Sequence, residues 1–221
     1  EKNLVELAAL LRRTNPVDIE EFISGLSDED TIIVFRLLKK DDAAEVFAHL
    51  DNEEKQHLLR TITDPEIDNI INELYFDDMI DTLEEMPASF VKKLLRNTDN
   101  DKRKLVNQFL QFPADSAGSL MTTEYVELKE EMTVEEALAH IKAVGNNKET
   151  IYTCYVTGFG KKLQGYVSLR NIVTNESYTL IQDLMFEDVI TIDTLEDREE
   201  VANKFKRYGF YSLPVVDSER R

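Results

Sequence analysis

The sequence predicts an α plus α/β architecture: an N-terminal α-helical superhelix of stacked helix pairs, followed by two tandem α/β copies, the second of them incomplete. Three observations predict it. Up to about Pro113, apolar residues recur at three- and four-residue spacing, and Gly25 is the only glycine. After Asp115, short β-rich runs alternate with helical patterns, and six further glycines mark turns. This β-rich order then begins again, since Leu120-Met121 is echoed by Leu184-Met185.

The helical half, residues 1–115, contains an internal echo of its own. The segment 41–50 resembles the segment 77–86, at a spacing of 36 residues. That spacing is typical of stacked helix pairs that form a superhelix. Asn15-Pro16 and Asp64-Pro65 predict helix starts, because proline is favoured in the first turn of a helix.

The β-rich half divides into a first copy at 116–179 and a second copy at 180–221. In the first copy, Thr133 and Glu136 form the pattern of a capping box, which predicts a helix start. Strands are predicted at 126–128, 151–156 and 163–167, and Ser168 is placed to cap a short helix that follows. In the second copy, strands are predicted at 190–192 and 212–217. Its closing strand and helix are missing, so we expect the natural chain to be longer.

The charge of the chain excludes several partners. There are 44 acidic and 26 basic residues, which gives a formal net charge of −18 at pH 7. Nucleic acid and anionic membrane surfaces are therefore poor partners. No window approaches the ~20 apolar residues that cross a bilayer, and the first residues do not form a secretion signal. We expect the chain to be soluble and cytoplasmic in character.

The residues that could carry catalysis are scattered. Cys154 lies in an apolar run and is expected to be a buried structural thiol. His49, His57 and His140 have no partners at zinc-ligand spacing, and no phosphate loop or nucleophile elbow is present. The glycine-rich segment 158–162 is predicted to be a hairpin turn, since no helix follows it. The sequence thus predicts that the chain is not an enzyme.

Two motifs of the β-rich half carry a family resemblance. GYVSLRN at 165–171 closes one copy and LPVVD at 213–217 lies in the next, and this tandem arrangement resembles a CBS-domain pair. Together with AGSLMT at 117–122 and the acidic helical half, the chain resembles the cytosolic region of MgtE-type magnesium transporters. The resemblance implies a homodimer formed through the CBS domains. It also implies a transmembrane pore on the same natural chain, a location at the cytoplasmic face of the membrane, and Mg²⁺ binding in acidic clefts that closes the pore.

The residues themselves support a cation site in the helical half. The stretch 61–91 holds nine carboxylates and no lysine, arginine or histidine. Asp77 and Asp81 share one helix face, as do Asp78 and Glu85, so like charges oppose one another. Mg²⁺ prefers oxygen ligands and keeps several waters, so one or two carboxylates from each of two facing surfaces suffice. The alternative is a solvated acidic face.

The resemblance extends the candidate metal ligands to Asp197 and Glu199. Both lie at a predicted helix start, where acidic residues also stabilise the helix dipole, so a purely structural role is the alternative. The family often has another acidic residue between the aromatic pair that is here Tyr208 and Phe210. This chain has Gly209 at that position, which supplies no ligand.

A nucleotide site is the second implication of the resemblance. CBS pairs commonly hold adenine nucleotides such as ATP through a Ser or Thr and an Asp near the ribose. Ser168 matches this pattern, Asn171 replaces the Asp, and Arg170 can face phosphate. The leading hypothesis is a Mg²⁺-sensing regulatory region of a magnesium channel or transporter. The alternatives are a soluble CBS-type regulator that senses adenine nucleotides and a helical scaffold for protein interaction.

Overall fold

The computed structural model describes residues 3–84, 86–88, 91, 92, 95 and 100–221. The chain divides into two compact units, Glu1–Asn107 and Gln108–Arg221. The first unit is helical, and the second contains the β-strands. Among the described residues, none of the helices combines the length and the apolar character that crossing a bilayer requires.

The first unit is an array of short helices, as the sequence predicts. Asn15 caps a helix whose first turn contains Pro16, and Thr63 with Glu66 forms a capping box at another. The helices given for the described residues are α1 (Leu4–Leu11), α2 (Pro16–Ile23), α3 (Asp28–Leu37), α4 (Lys40–His49), α5 (Asn52–Thr61), α6 (Asp64–Glu73), α7 (Phe76–Glu84) and α8 (Asn100–Phe109), the last of which contains the division between the units.

Helices α3 to α7 begin at equal intervals, at Asp28, Lys40, Asn52, Asp64 and Phe76. Only two residues separate each helix from the next, and we call the interval of one helix and one link the helix period. The echo of 41–50 in 77–86 therefore spans three helix periods, and one stacked pair occupies two of them. The spacing of 36 residues is thus that of three successive helices, longer than one stacked pair.

The packing of the array is that of a superhelix of stacked helix pairs, which confirms the prediction. Helices α2, α4 and α6 contact one another in succession, and α1, α3 and α5 form a second row. Equivalent positions of successive helices carry buried apolar side chains that form the core. The residues at these positions are Phe35, Phe47, Leu59, Ile71 and Leu83. Among the described residues of this unit, two buried polar side chains occupy positions that are apolar in the neighbouring helices. Lys55 is only 8% exposed and Thr82 is 0% exposed.

The second unit contains the two α/β copies. Strands β1 and β2 are parallel, β2 and β3 are antiparallel, and the short β4 and β5 form a separate parallel pair. The elements are α9 (Ala117–Leu120), β1 (Tyr125–Leu128), α10 (Val134–Val144), β2 (Thr150–Thr157), β3 (Leu163–Ser168), α11 (Leu169–Thr174), β4 (Ile192–Asp193), α12 (Arg198–Tyr208) and β5 (Val215–Val216).

Most predicted elements of the first copy are confirmed. The capping box of Thr133 and Glu136 is formed, and Ser168 caps α11. The glycine-rich segment is a turn in which Gly160 has a φ of 68°, so its left-handed conformation explains the glycine. In the second copy, β4 and β5 are shorter than the predicted strands 190–192 and 212–217.

Candidate functional site

Helix α7 presents carboxylates from one side and apolar residues from the other. Asp77 and Asp78 lie in its first turn and are partly buried, whereas Asp81 is exposed. Glu85 lies outside the described residues. The apolar side chains anchor the helix in the core, and they are Phe76, Met79, Ile80 and Leu83.

The environment of Asp77 and Asp78 is unfavourable for two negative charges. The Oδ1 atom of Asp77 is buried and accepts no hydrogen bond from the residues that the structure describes. Burial raises the pKa of Asp78 above its ordinary value, and the charge of Asp77 raises it further. Electrostatic interactions with Lys55 and His49 lower the pKa of Asp78. These two residues lie on α5 and α4, so the stretch 61–91 on its own does not reveal them.

Thr82 is a further polar group on α7 that the sequence analysis missed. It follows Asp78 by one helical turn, and its Oγ1 atom is buried without a hydrogen-bond partner in the described part of the chain. Ile70 lies one helix period earlier, at the corresponding position of α6, and its side chain is buried. The helix period is the signal that would have identified Thr82 as a polar residue at a core position.

Asp197 and Glu199 lie together at the start of α12, and both are exposed. Asp197 is the N-cap, and its Oδ1 atom accepts a hydrogen bond from the backbone N–H of Glu199 at 2.8 Å. One carboxylate oxygen of Asp197 is thus engaged in capping, as the structural alternative predicts. Gly209 ends this helix with a φ of 65°, a left-handed conformation that favours glycine there.

Glu196 is a more buried carboxylate beside this pair, and sequence reasoning did not select it. Its Oε2 atom accepts a hydrogen bond from Lys204 Nζ at 2.7 Å, while its Oε1 atom is buried and unpartnered. Lys204 Nζ also donates to the carbonyl of Thr191 at 3.1 Å. This ion pair holds the loop before α12 against the body of the helix.

The structure brings the three nucleotide candidates together at the start of α11. Ser168 Oγ accepts a hydrogen bond from the backbone N–H of Asn171 at 3.1 Å, which satisfies the N-cap. Arg170 is exposed, and Asn171 is partly buried. The carbonyl of Asn171 accepts a bond from Asn175 Nδ2 at 2.7 Å.

A charged cluster at the ends of β1 and β2 was also missed. Lys129 Nζ donates to Glu127 Oε1 at 2.5 Å and to Thr157 Oγ1 at 2.7 Å, and the Thr157 hydroxyl donates to Glu127. Burial raises the pKa of Glu127, but the bonds from Lys129 and Thr157 outweigh it and lower the pKa below the ordinary value. This cluster joins two parallel strands through their side chains.

Cys154 is buried in the core of the first copy, as predicted. Burial raises the pKa of its thiol to about 12, so the thiolate that would act as a nucleophile or ligand is scarce at neutral pH.

The candidate metal residues form two groups. Asp77, Asp78 and Asp81 belong to the first unit, and Asp197 and Glu199 belong to the second. Within the part of the chain that the structure describes, no three or more histidine, cysteine, aspartate or glutamate side chains are arranged to hold a metal ion. The combined magnesium site therefore stays a prediction.

Two family models match successive parts of the chain. The family model for the MgtE intracellular N domain matches residues 14–115. The model for the CBS domain matches residues 117–177 and 181–221. The protein is therefore of the class in which a helical domain precedes a pair of CBS domains.

The chain belongs to the MgtE family. The magnesium transporter MgtE of Thermus thermophilus is 36% identical over 219 residues, which cover 97% of this chain and 48% of that protein. The magnesium transporter MgtE of Bacillus subtilis is 30% identical over 226 residues, covering 97% and 50%. The chain thus spans about half the length of the curated relatives it matches.

Two solved structures share the fold over nearly the whole chain. The crystal structure of the cytosolic domain of the Mg²⁺ channel MgtE in complex with ATP is 34% identical, with a TM-score of 0.92, and the match covers 97% of this chain and 88% of that one. The crystal structure of the soluble part of a magnesium transporter is 26% identical, with a TM-score of 0.93, covering 100% and 87%.

Proposed function

We propose that this chain is the cytoplasmic Mg²⁺-sensing regulatory region of a magnesium channel or transporter. Mg²⁺ bridges the helical and CBS domains, and the attached pore closes in that state. The observation that carries the proposal is the buried, unpartnered Oδ1 atom of Asp77 beside the half-buried Asp78. A nearby cation would stabilise the charge of each of these carboxylates. Mg²⁺ binds such oxygens and keeps water molecules at its remaining coordination positions.

The mechanism is electrostatic. Like-charged surfaces near contact repel by on the order of 1 kcal/mol per close pair in water, and by more where the pair is partly buried. Asp77, Asp78 and Asp81 supply one surface, and Asp197 with Glu199 supplies the other. Because Mg²⁺ binds the closed arrangement better than the open one, its concentration sets the population of each state. Similarity to the cytosolic domain of the Mg²⁺ channel MgtE supports this assignment.

The remaining properties follow from the same proposal. The chain acts at the cytoplasmic face of the membrane as part of a protein that also contains the pore, and it catalyses no reaction. It is a homodimer through its CBS domains, a contact that would cover the exposed apolar side chains Tyr152, Val173 and Tyr178. Light scattering at high protein and high Mg²⁺ concentration tests the dimer, and a monomer under those conditions contradicts it.

Adenine-nucleotide sensing is the second candidate, and similarity to a domain solved with ATP favours it. Ser168, Arg170 and Asn171 would contact the ribose and phosphates. Because Asn171 lacks the carboxylate of the common CBS pattern, we expect the Asn171→Asp variant to bind ATP more tightly than the unmodified chain. An unchanged affinity would remove Asn171 from the site.

Isothermal titration with Mg²⁺ and with ATP, performed separately, tests the two candidates. We expect heat from Mg²⁺ binding that is weakened by Asp77→Asn and by Glu199→Gln. For Asp197 the suitable variant is Asp197→Asn, since asparagine keeps the N-cap of α12 and removes only the charge. Val5→Ala, at an exposed site on α1, is the control. Binding of ATP without any binding of Mg²⁺ contradicts the first candidate and supports the second.

A further inference from the structure

The segment that follows α8 is bonded to the second α/β copy, although the first copy comes next in the chain. We call residues 115–118 the connector. Its backbone makes three hydrogen bonds to the residues that precede and begin α12. They are Arg198 N to the carbonyl of Asp115 (2.9 Å), Ala117 N to the carbonyl of Glu196 (2.8 Å) and Gly118 N to the carbonyl of Thr194 (2.8 Å).

A side-chain contact reinforces this attachment. Arg198 Nη1 lies 2.7 Å from Asp115 Oδ1. Asp115 has a φ of 63°, in the left-handed region that disfavours most residues and tolerates aspartate. Arg198 thus holds Asp115 through both its backbone and its side chain. Because both side chains are more than half exposed, solvent screens the ion pair, and the contact is weak enough to open reversibly.

The other side of the connector is packed against the end of the α8 region. A Cβ atom on Gly118 would lie 2.6 Å from the ring of Phe112, so glycine is required for this close approach. The Phe112 ring meets Phe109 edge-on, with centroids 5.6 Å apart, and Phe109 is 2% exposed at the end of α8. A continuous series of contacts therefore joins the end of α8 to the connector, and the connector to α12.

Arg198 lies between the two candidate carboxylates of the second copy. It is the first residue of α12, Asp197 is the cap of that helix and Glu199 is the next residue. A movement of the start of α12 would therefore act on the contact with Asp115. We propose that the contact between Asp115 and Arg198 is a latch through which the second CBS copy controls the connector to the helical unit. The response of the latch to Mg²⁺ rests on the proposed function, whereas the latch itself does not.

Hydrogen exchange on the whole chain, measured in chelator, tests the latch. In Arg198→Met we expect the amides of Ala117 and Gly118 to exchange about two- to fivefold faster, which corresponds to the loss of an exposed ion pair. Arg207→Met is the matched control, because Arg207 lies on the same helix with its guanidinium over the Tyr208 ring, 5.3 Å from the ring centroid. We expect no change at the connector in this variant. Equal exchange in Arg198→Met and the unmodified chain overturns the latch.

A second variant distinguishes the loss of this contact from a general folding defect. Asp115→Asn keeps a residue that tolerates the left-handed conformation and removes the charge, so faster exchange confined to the connector is expected again. With Mg²⁺, exchange at the connector should slow in the unmodified chain, and Arg198→Met should lose this response while it still binds Mg²⁺ in a titration. If the unmodified chain binds no Mg²⁺, the proposed function fails, and the comparison in chelator still decides whether the latch exists.

Discussion

Lys55, buried in the helical array, supplies positive charge to the half-buried carboxylate of Asp78. Burial raises the pKa of Asp78, and Lys55 opposes that rise. Lys55 occupies a position that Ala43, Ile67 and Met79 fill in other helices of the array, and all three are buried. A buried lysine is costly unless a nearby group stabilises its charge, so we expect the charges of Lys55 and Asp78 to stabilise each other.

A double-mutant cycle tests this dependence. We expect Lys55→Met and Asp78→Asn to be coupled favourably by about 0.5–3 kcal/mol in the free energy of unfolding, because each single change leaves the other group without its counter-charge. Urea unfolding in chelator provides the measurement. Lys55→Met combined with Asp18→Asn, an exposed site on α2, is the control pair and should be additive. Additivity of the Lys55 and Asp78 changes would contradict the pairing.

The raised pKa of Asp78 predicts a dependence of stability on pH. A carboxyl group whose pKa is higher in the folded state binds more protons there, so the folded state gains stability as pH falls through that raised pKa. The stability of Asp78→Asn relative to the unmodified chain, measured in chelator, should therefore fall between pH 7 and pH 4. Thermal melts across this range measure the difference. A difference that stays constant with pH would show that Asp78 ionises normally.

Glu66 should show the opposite dependence of folding stability on pH. The hydrogen bond from Arg36 at 2.8 Å, together with bonds from Thr63, lowers the pKa of Glu66 to about 2. Its stabilisation is present above the unfolded pKa and is lost as pH falls toward 2, so Glu66→Gln should reduce stability at pH 7 more than at pH 3. Thermal melts at the two pH values measure the difference. The side chain of Arg36 is 55% exposed and that of Glu66 is 32% exposed, so solvent screening keeps the contribution of the Arg36 contact to stability small.

Glu54→Gln is the control for Glu66, because Glu54 forms the same kind of capping box with Asp51. The excess loss in Glu66→Gln over Glu54→Gln reports the contact between α3 and α6 that Arg36 makes. Identical pH profiles for the two variants would contradict a role of Arg36.

Thr82 should be replaceable with a gain in stability. Its Oγ1 atom is buried without a partner, and valine has nearly the same shape without the polar atom. We expect Thr82→Val to raise the free energy of unfolding by about 1–2 kcal/mol. Thr61→Val is the control, since the Thr61 hydroxyl is satisfied by the carbonyl of His57 at 2.7 Å. A destabilised Thr82→Val variant would mean that the hydroxyl has a partner in solution.

The local patterns predicted the fold well. Capping residues such as Thr133 and Ser168 act over one helical turn, so the sequence alone places them correctly. The length of one helix and its link could not be read from the echo of 41–50 in 77–86. That echo spans three helices and is the more visible sequence similarity, whereas core positions recur at every helix period. That recurrence becomes evident only once the two-residue links are known.

The candidate site was less predictable for a physical reason. The influence of Lys55 and His49 on Asp78 is a contact between helices that are distant in sequence. Likewise, the capping role of Asp197 and the burial of Glu196 depend on how the loop before α12 folds. A list of carboxylates in one stretch predicts where charge accumulates, and it cannot predict which neighbours neutralise that charge.

Small-angle scattering with Mg²⁺ and with chelator, at matched ionic strength, tests the central claim most directly. If Mg²⁺ bridges the two domains, its millimolar addition should reduce the radius of gyration, while monovalent salt should screen only weakly. The variant with Asp77, Asp78 and Asp81 all changed to asparagine should have dimensions nearly independent of Mg²⁺. The same radius of gyration for the unmodified chain in Mg²⁺ and in chelator would contradict the cation bridge.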